Sequence, residues 1–297
     1  MVESRTPAEE AFPGSVYAPM AHSGPILAEA AEPDRPRRLL LPLALFLATC
    51  YSTYSVGGLA YAGPLMTILL CHEFGHFIQA VRYRVPASLP FFIPMFPPLG
   101  TMGAVIGMRG NMGNRKALFD IGISGPLAGL VPTIIFCVIG LSRSHFGDPP
   151  PATAAEGHFV LGEPLFFQFL AHLVLGPAPL NQELFIHPMA YAGWVGVFIT
   201  ALNLIPIGQL DGGHVLYALL RRKAYPITSF LLLAAMGAVL ITRNYQWLLM
   251  LFLLSMMGPN HPPTGNDNMP LGTFRTVLGW ATLLFVFVGF TPRPFTI

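Results

Sequence analysis

The sequence predicts an all-α polytopic membrane protein: a bundle of about six to seven transmembrane helices with a re-entrant β-hairpin near a buried polar site. Three observations predict it. Of 297 residues, 53 % are hydrophobic and only 10 % charged, whereas a soluble domain carries about 25 % charged residues. The apolar residues gather in runs long enough to cross about 30 Å of hydrocarbon. Between Arg35 and Phe146 the acidic residues are Glu73 and Asp120 alone, both in apolar surroundings. A net charge of +2 gives no basis for a nucleic-acid partner, so the lipid bilayer is the expected environment. A multi-pass protein of the cell (inner) membrane is expected.

Taken in order, residues 1–38 are polar and rich in Pro, Ala and Glu, with no apolar core of a signal peptide. They are expected to form a cytoplasmic tail on one membrane domain, 39–292. Residues 39–61 make a first span, and Arg35, Arg37 and Arg38 before it place the N-terminus in the cytoplasm. Residues 60–81 make a second, ending at Arg82 and Arg84, so the two form a hairpin. The next stretch holds five prolines between Pro86 and Pro98 and cannot be a regular helix. Its second half, 101–108, is rich in Gly and β-branched residues and predicts a strand or hairpin. Basic residues flank it on both sides (Arg82 and Arg84; Arg109, Arg115 and Lys116), so it should enter the membrane and return on the same side. Backbone of that kind is tolerated at depth only where protein or a water-filled cavity satisfies its polar groups.

Residues 117–141 form a third span, with Gly122, Gly125, Ala128 and Gly129 offering close helix packing. Residues 142–188 are an external polar loop, too short for a folded accessory domain, with an apolar patch at 161–175 that predicts an interfacial helix. A fourth span, 189–208, is broken at Pro206. A half-span follows and ends in Arg221, Arg222 and Lys223, a topology anchor. Residues 226–242 and 245–257 make a helical hairpin, 258–270 a cytoplasmic loop and 271–290 a last span. Cys50, Cys71 and Cys137 all lie in apolar stretches and read as core residues, with no disulfide framework.

The polar site lies in "LLCHEFGHFIQ" (69–79). His72 and His76 are four apart, so a helix presents both imidazoles on one face to a single metal ion. Glu73 completes H-E-x-x-H, in which two His ligate zinc and the Glu takes a proton from water. The plainer alternative is three polar groups satisfied by hydrogen bonds inside a bundle. Ionisable groups within a span are costly and point instead to function. A catalytic zinc takes three protein ligands and keeps one position open. Positions 79 and 82 are Gln and Arg, and no Glu occurs between Glu73 and Glu156, which leaves Asp120 and Asp211 as intramembrane acids. Asp211 sits in "NLIPIGQLDGG", where Pro206 and Gly212–Gly213 break a membrane helix. An acid there suits a ligand that must reach another helix. Asp120, near the start of its span, reads as a charge favoured by the helix dipole. His214 reads as packed, His261 as a residue fixing a turn beside two prolines, and the plain reading of Asn203 is a cap of the helix break.

"HEFGH" and "NLIPIGQLDGG" together resemble the site-2 protease family of intramembrane zinc metalloproteases, notably bacterial and plant members without a PDZ domain. The resemblance covers roughly residues 40–290. "ISGPLAGL" (123–130), "GTMGAVIGMRG" (100–110), "GMRGNMGNRK" (107–116) and "HPPT" (261–264) are similar as well. It implies one Zn2+ per chain held by His72, His76 and Asp211, Glu73 as general base, Asn203 orienting substrate, and a transmembrane protein as substrate. Loop 142–188 has no room for the PDZ domain many bacterial relatives insert, so substrate selection is expected to rest on the membrane core. The strand near 100–108, at Gly103, Ala104 and Val105, is expected to pair its free edge with an unwound substrate; the alternative is a space-filling plug. Two other classes stand beside this reading. A membrane metal-ion transporter would use His and Asp but has no need of Glu73. A catalytically inactive scaffold has no need of the whole set.

Overall fold

The structure, a computed structural model, describes residues 37–108, 113–149 and 160–296. Most of the predicted tail and the basic flank at Arg109 lie outside the described residues.

Helix α1, Arg37–Arg82, breaks at Gly57–Gly58 into two arms. Gly58 has φ +62°, a left-handed backbone that favours glycine. The sequence placed this boundary near residue 60. The proline-rich stretch then folds as strands β1, Phe91–Pro94, and β2, Thr101–Val105, paired antiparallel with Phe92 opposite Ala104 and Ile93 opposite Gly103. The hairpin is tied to both arms of α1: the Ser52 hydroxyl donates to the Gly100 carbonyl (2.6 Å) and the Tyr61 hydroxyl to that of Leu99 (2.7 Å). Phe92 faces the core edge-on to Phe46.

Helix α2, Arg115–Leu141, is capped by the Asn114 side chain, which accepts from the Ala117 amide. The predicted external loop holds β3 (His145–Gly147), β4 (Val160–Leu161), α3 (Leu165–Leu175) and β5 (Glu183–Phe185). Strand β3 pairs with β5. Helix α3 buries Phe167 and Leu170 and exposes Leu165, Phe169 and Leu173.

Helix α4, Pro188–Asn203, is central. Trp194, Val195, Val197 and Ala201 are fully enclosed. A Cβ at its Gly193 would lie 2.5 Å from Cys137 Sγ on α2. Such contacts let helix backbones approach closely. Then come α5 (Asp211–Leu220), a 3-10 turn (Arg221–Lys223), α6 (Ala224–Thr242), a second 3-10 turn (Tyr245–Trp247), α7 (Leu248–Met257), α8 (Thr273–Gly289) and β6 (Phe295–Thr296), which pairs with β4.

The described residues are mostly helical. Three helical segments are long and apolar enough to cross a membrane: Leu39–Arg82, Arg115–Leu141 and Asp211–Thr242. Large apolar side chains such as Leu43, Val131, Phe230, Ile241 and Phe287 face outward, as a surface solvated by lipid requires.

Candidate active site

His72, Glu73 and His76 lie on the second arm of α1 and are 5, 3 and 7 % exposed. Asp211 opens α5 and meets both histidines. His72 Nε2 is 3.1 Å from Asp211 Oδ2, His76 Nε2 is 3.3 Å from Oδ1, and the two Nε2 atoms are 3.2 Å apart. Ligand atoms of all three residues fall within 4.8 Å of one another. Asn203, the last residue of α4, brings its side-chain Nδ2 to 3.3 Å from His72 Nε2.

Glycine is what lets α1 and α2 close on this point. Gly122, Gly125 and Gly129 recur at helical spacing along one face of α2. A Cβ at Gly125 would lie 2.0 Å from His76 Nε2, and one at Gly129 would lie 3.0 Å from His72 Cβ. Across the interface Gly75 of α1 faces the Ser124 carbonyl, and the Ser124 hydroxyl donates to the Gly75 carbonyl at 2.9 Å. Asp211 arrives through a tight break. Helix α4 ends at Asn203, Pro206 prevents its continuation, and Gly208 turns the chain at φ +60°. A Cβ at Gly212 would lie 2.0 Å from the Leu204 carbonyl oxygen. The carboxylate therefore sits in the first turn of α5, where the helix dipole favours it.

The donor set fits a divalent cation such as zinc, which takes His nitrogen and carboxylate oxygen. His76 Nδ1 faces the Ile121 carbonyl at 2.8 Å. A carbonyl only accepts, so Nδ1 carries the proton, and in the neutral ring Nε2 presents its lone pair. That lone pair points at His72 Nε2 and at a carboxylate, an arrangement that repels unless a proton or a cation lies among them. The carbonyl also sets the ring's tautomer, as partners of metal-ligating histidines usually do.

Gly103, Ala104 and Val105 lie on β2, and among the described residues no strand pairs with its far edge. His214 does not join the converging group. Its ring lies edge-on to His261, centroids 4.8 Å apart. His261 belongs to the loop after α7, which Asp267 organises by accepting from Thr264 and from the Tyr217 hydroxyl (2.7 Å). Burial pushes the Asp267 carboxyl up, but these hydrogen bonds outweigh it and hold it below the ordinary carboxylate range. Asp120 corrects the sequence reading. It lies beyond the first turn of α2 and binds the Arg275 guanidinium through both oxygens, at 2.7 and 2.9 Å, while accepting from the Tyr83 hydroxyl. Sequence reasoning also missed the Ile121 carbonyl. The glycine spacing in α2 was a visible signal of a close face, though not of what that face touches.

Residues 60–242 match peptidase family M50. Among curated proteins, the probable zinc metalloprotease EGY1, chloroplastic, of Oryza sativa subsp. japonica is 32 % identical over 73 % of this chain and 38 % of its own length. Its namesake from Arabidopsis thaliana is 30 % identical over 79 % of this chain and 42 % of its own. The probable zinc metalloprotease EGY2, chloroplastic, of Oryza sativa subsp. indica is 30 % identical over 78 and 43 %. The chain thus spans about two fifths of the length of the curated relatives it matches. No solved structure matches significantly.

Proposed function

We propose, from the premise that this chain belongs to peptidase family M50, that it is an intramembrane zinc metalloprotease hydrolysing peptide bonds within or near transmembrane segments of protein substrates. The observation that carries the reading is the convergence of His72, His76 and Asp211 beside buried Glu73. The three residues would hold one zinc ion, which when bound supplies Lewis acidity, polarising a carbonyl and bringing the pKa of water toward about 7. Glu73 takes the proton of the attacking water and passes it to the departing amine nitrogen. Its burial keeps other proton sources away from the reacting bond. Asn203, within reach of His72, donates its amide N–H to the substrate backbone. The free edge of β2 at Gly103, Ala104 and Val105 holds an extended substrate strand by main-chain hydrogen bonds. The substrate helix must unwind first, because a helical carbonyl is already engaged in the ladder.

The same reading orders the chain in the bilayer of the cell (inner) membrane. The protease domain is 39–292, with six to seven spans supplied by the two arms of α1, α2, α4, the stretch of α5 and α6, α7 and α8. The β1–β2 hairpin is re-entrant. Arg82, Arg84, Arg115 and Arg221–Lys223 mark the cytoplasmic side, with the tail 1–38 on that side and loop 142–188 outside.

Replacing Glu73 by Gln tests the mechanism. Cleavage of a membrane reporter should fall by about 10²–10⁴-fold while zinc, measured by elemental analysis, stays at one per chain. A Glu73→Gln protein that still cuts overturns the mechanism. Purified protein without zinc favours an inactive scaffold, and zinc uptake into proteoliposomes without cleavage favours a transporter.

A further inference from the structure

We propose, resting on the protease reading above and its use of β2, that Ser52, Tyr61 and Tyr191 are positioning residues. Their hydroxyls clamp the turn of the β1–β2 hairpin and so set which bond of an extended substrate lies against the converging donors.

The clamp closes on three consecutive carbonyls. The Tyr191 hydroxyl donates to Pro98 at 2.9 Å, that of Tyr61 to Leu99 at 2.7 Å and that of Ser52 to Gly100 at 2.6 Å. The donors come from α4, from the second arm of α1 and from its first arm. The turn itself is poor in partners. Pro97 and Pro98 have no N–H. Its backbone bonds run from the Met95 amide to the Gly100 carbonyl (3.1 Å) and from the Gly100 amide to the Phe96 carbonyl (3.4 Å). Neither uses the carbonyl of Pro98 or Leu99. The two phenols are held in turn. Their rings stack with centroids 5.0 Å apart, and Tyr191 stacks on fully buried Trp194.

The same two helices carry the clamp and the site. On the second arm of α1, His72 follows Tyr61 by eleven residues, and on α4 Asn203 follows Tyr191 by twelve. At about 1.5 Å per residue these runs are about 16 and 18 Å. The helices touch at both ends, through the stacked rings at one and the 3.3 Å approach of Asn203 to His72 at the other. Strand β2 starts from the clamped end. Val105 lies five residues past Gly100, a run of about 17 Å at the rise of a strand. Its direction follows α1. Ser52 meets Gly100, and farther from the Gly57–Gly58 break Phe46 meets Phe92, the partner of Ala104. Phe92 also shares a core cluster with Leu65 and Leu69, which lie between Tyr61 and His72. Clamp and site are thus about equally far apart along all three elements. A slip of the turn would be carried to the edge at Gly103, Ala104 and Val105.

A clamp that only satisfies the carbonyls of a space-filling plug would, when broken, lower stability and nothing else. A clamp that positions β2 would also move the cut.

The full chain in nanodiscs is given a single-span reporter of Leu and Ala with one central Gly pair. Its near-uniform sequence leaves the choice of bond to the enzyme, and mass spectrometry maps the products. Tyr61→Phe, Tyr191→Phe and Ser52→Ala each remove one hydroxyl, and the first two keep the stacked ring. Each should spread the cut over neighbouring bonds and lower kcat/KM by about 10–100-fold, since a misplacement of about 1 Å costs up to about 10²-fold. Zinc affinity should stay at the wild-type value. Tyr54→Phe, an exposed tyrosine of α1, should change none of these. A second measurement does not depend on turnover. Genetically encoded spin labels at Leu59 and Met102, both exposed, report the spacing of helix and hairpin, which Tyr61→Phe/Tyr191→Phe should broaden. Hydroxyl variants that cut the wild-type bond at the wild-type rate overturn the proposal and leave the protease standing. A spacing that broadens while the cut stays in place overturns it too, because the clamp is then structural alone. A spacing that broadens in a protein whose wild type cuts no reporter upholds the clamp on the hairpin and removes the protease reading instead.

Discussion

At Gly125 the fold has no room for one methyl group. Its Cβ would lie 2.0 Å from His76 Nε2, well inside the contact distance of two heavy atoms. The histidine is held on its other side by the Ile121 carbonyl at 2.8 Å, so it cannot retreat without losing the bond that sets its tautomer. Gly125→Ala is therefore expected to weaken zinc binding by about 10–100-fold, the range seen when the support of a metal ligand is disturbed. Competition with a fluorescent zinc chelator measures this. Gly63→Ala, where a Cβ meets nothing within 4 Å, should keep wild-type affinity, and equal affinities for all three proteins would show that His76 is not confined by α2. His72, Glu73 and His76 were legible because their spacing is itself the chemical signal. Asp211 was legible because an acid at a broken membrane helix is costly without a purpose. The Ile121 carbonyl was not, since every residue carries one and only the packing of α1 on α2 selects it.

Between elements, the ion pair of Asp120 and Arg275 does what the apolar helix faces cannot: it fixes how far α8 stands from α2. The carboxylate uses both oxygens, and Tyr83 at the end of α1 adds a third donor, so three elements meet on one charge. Hydrogen bonds to charged groups contribute about 1.5–3 kcal/mol, and Asp120→Ala or Arg275→Ala should each lower stability by about that much. The double variant should cost less than the two singles combined, by about 0.5–3 kcal/mol, because removing both partners leaves no stranded charge. Thermal unfolding of the four proteins in detergent closes the cycle, and additive losses would mean that the pair does not couple the helices. The sequence shows each charge near the start of an apolar run but not their meeting, because the partners are 155 residues apart. The strands follow the same pattern. Prolines from Pro86 to Pro98 exclude a helix and leave a strand to be expected after them. The partner β1 lies within that proline-rich half, and its register depends on a turn whose Gly100 packs against Thr53 of α1.

For the whole molecule, composition is enough to predict a helical membrane protein, because so few charges over so many apolar residues leave no other solvent. The joining of remote segments is harder to read. Strands β4 and β6 pair a loop residue such as Leu161 with Phe295 near the end of the described chain, and no local pattern encodes that. The converging site joins segments almost as remote as the Asp120–Arg275 pair: His72 and Asp211 are 139 residues apart, on two different helices. A cation held by them acts as a cross-link that exists only in the folded chain. Ligand present at 100 times its dissociation constant stabilises a fold by about 2.7 kcal/mol, so stripping zinc should destabilise the protein by about 1–3 kcal/mol. Thermal unfolding with and without a strong chelator measures the shift. In His76→Ala, which lacks one donor, the chelator should make little further difference, since the cross-link is already gone. A wild-type protein whose unfolding is indifferent to the chelator, although elemental analysis shows its zinc removed, would mean that α1 and α5 are held together by packing alone. The tight seating of Gly212 against the Leu204 carbonyl would then be what delivers Asp211 to the histidines, with the metal following the fold instead of supporting it.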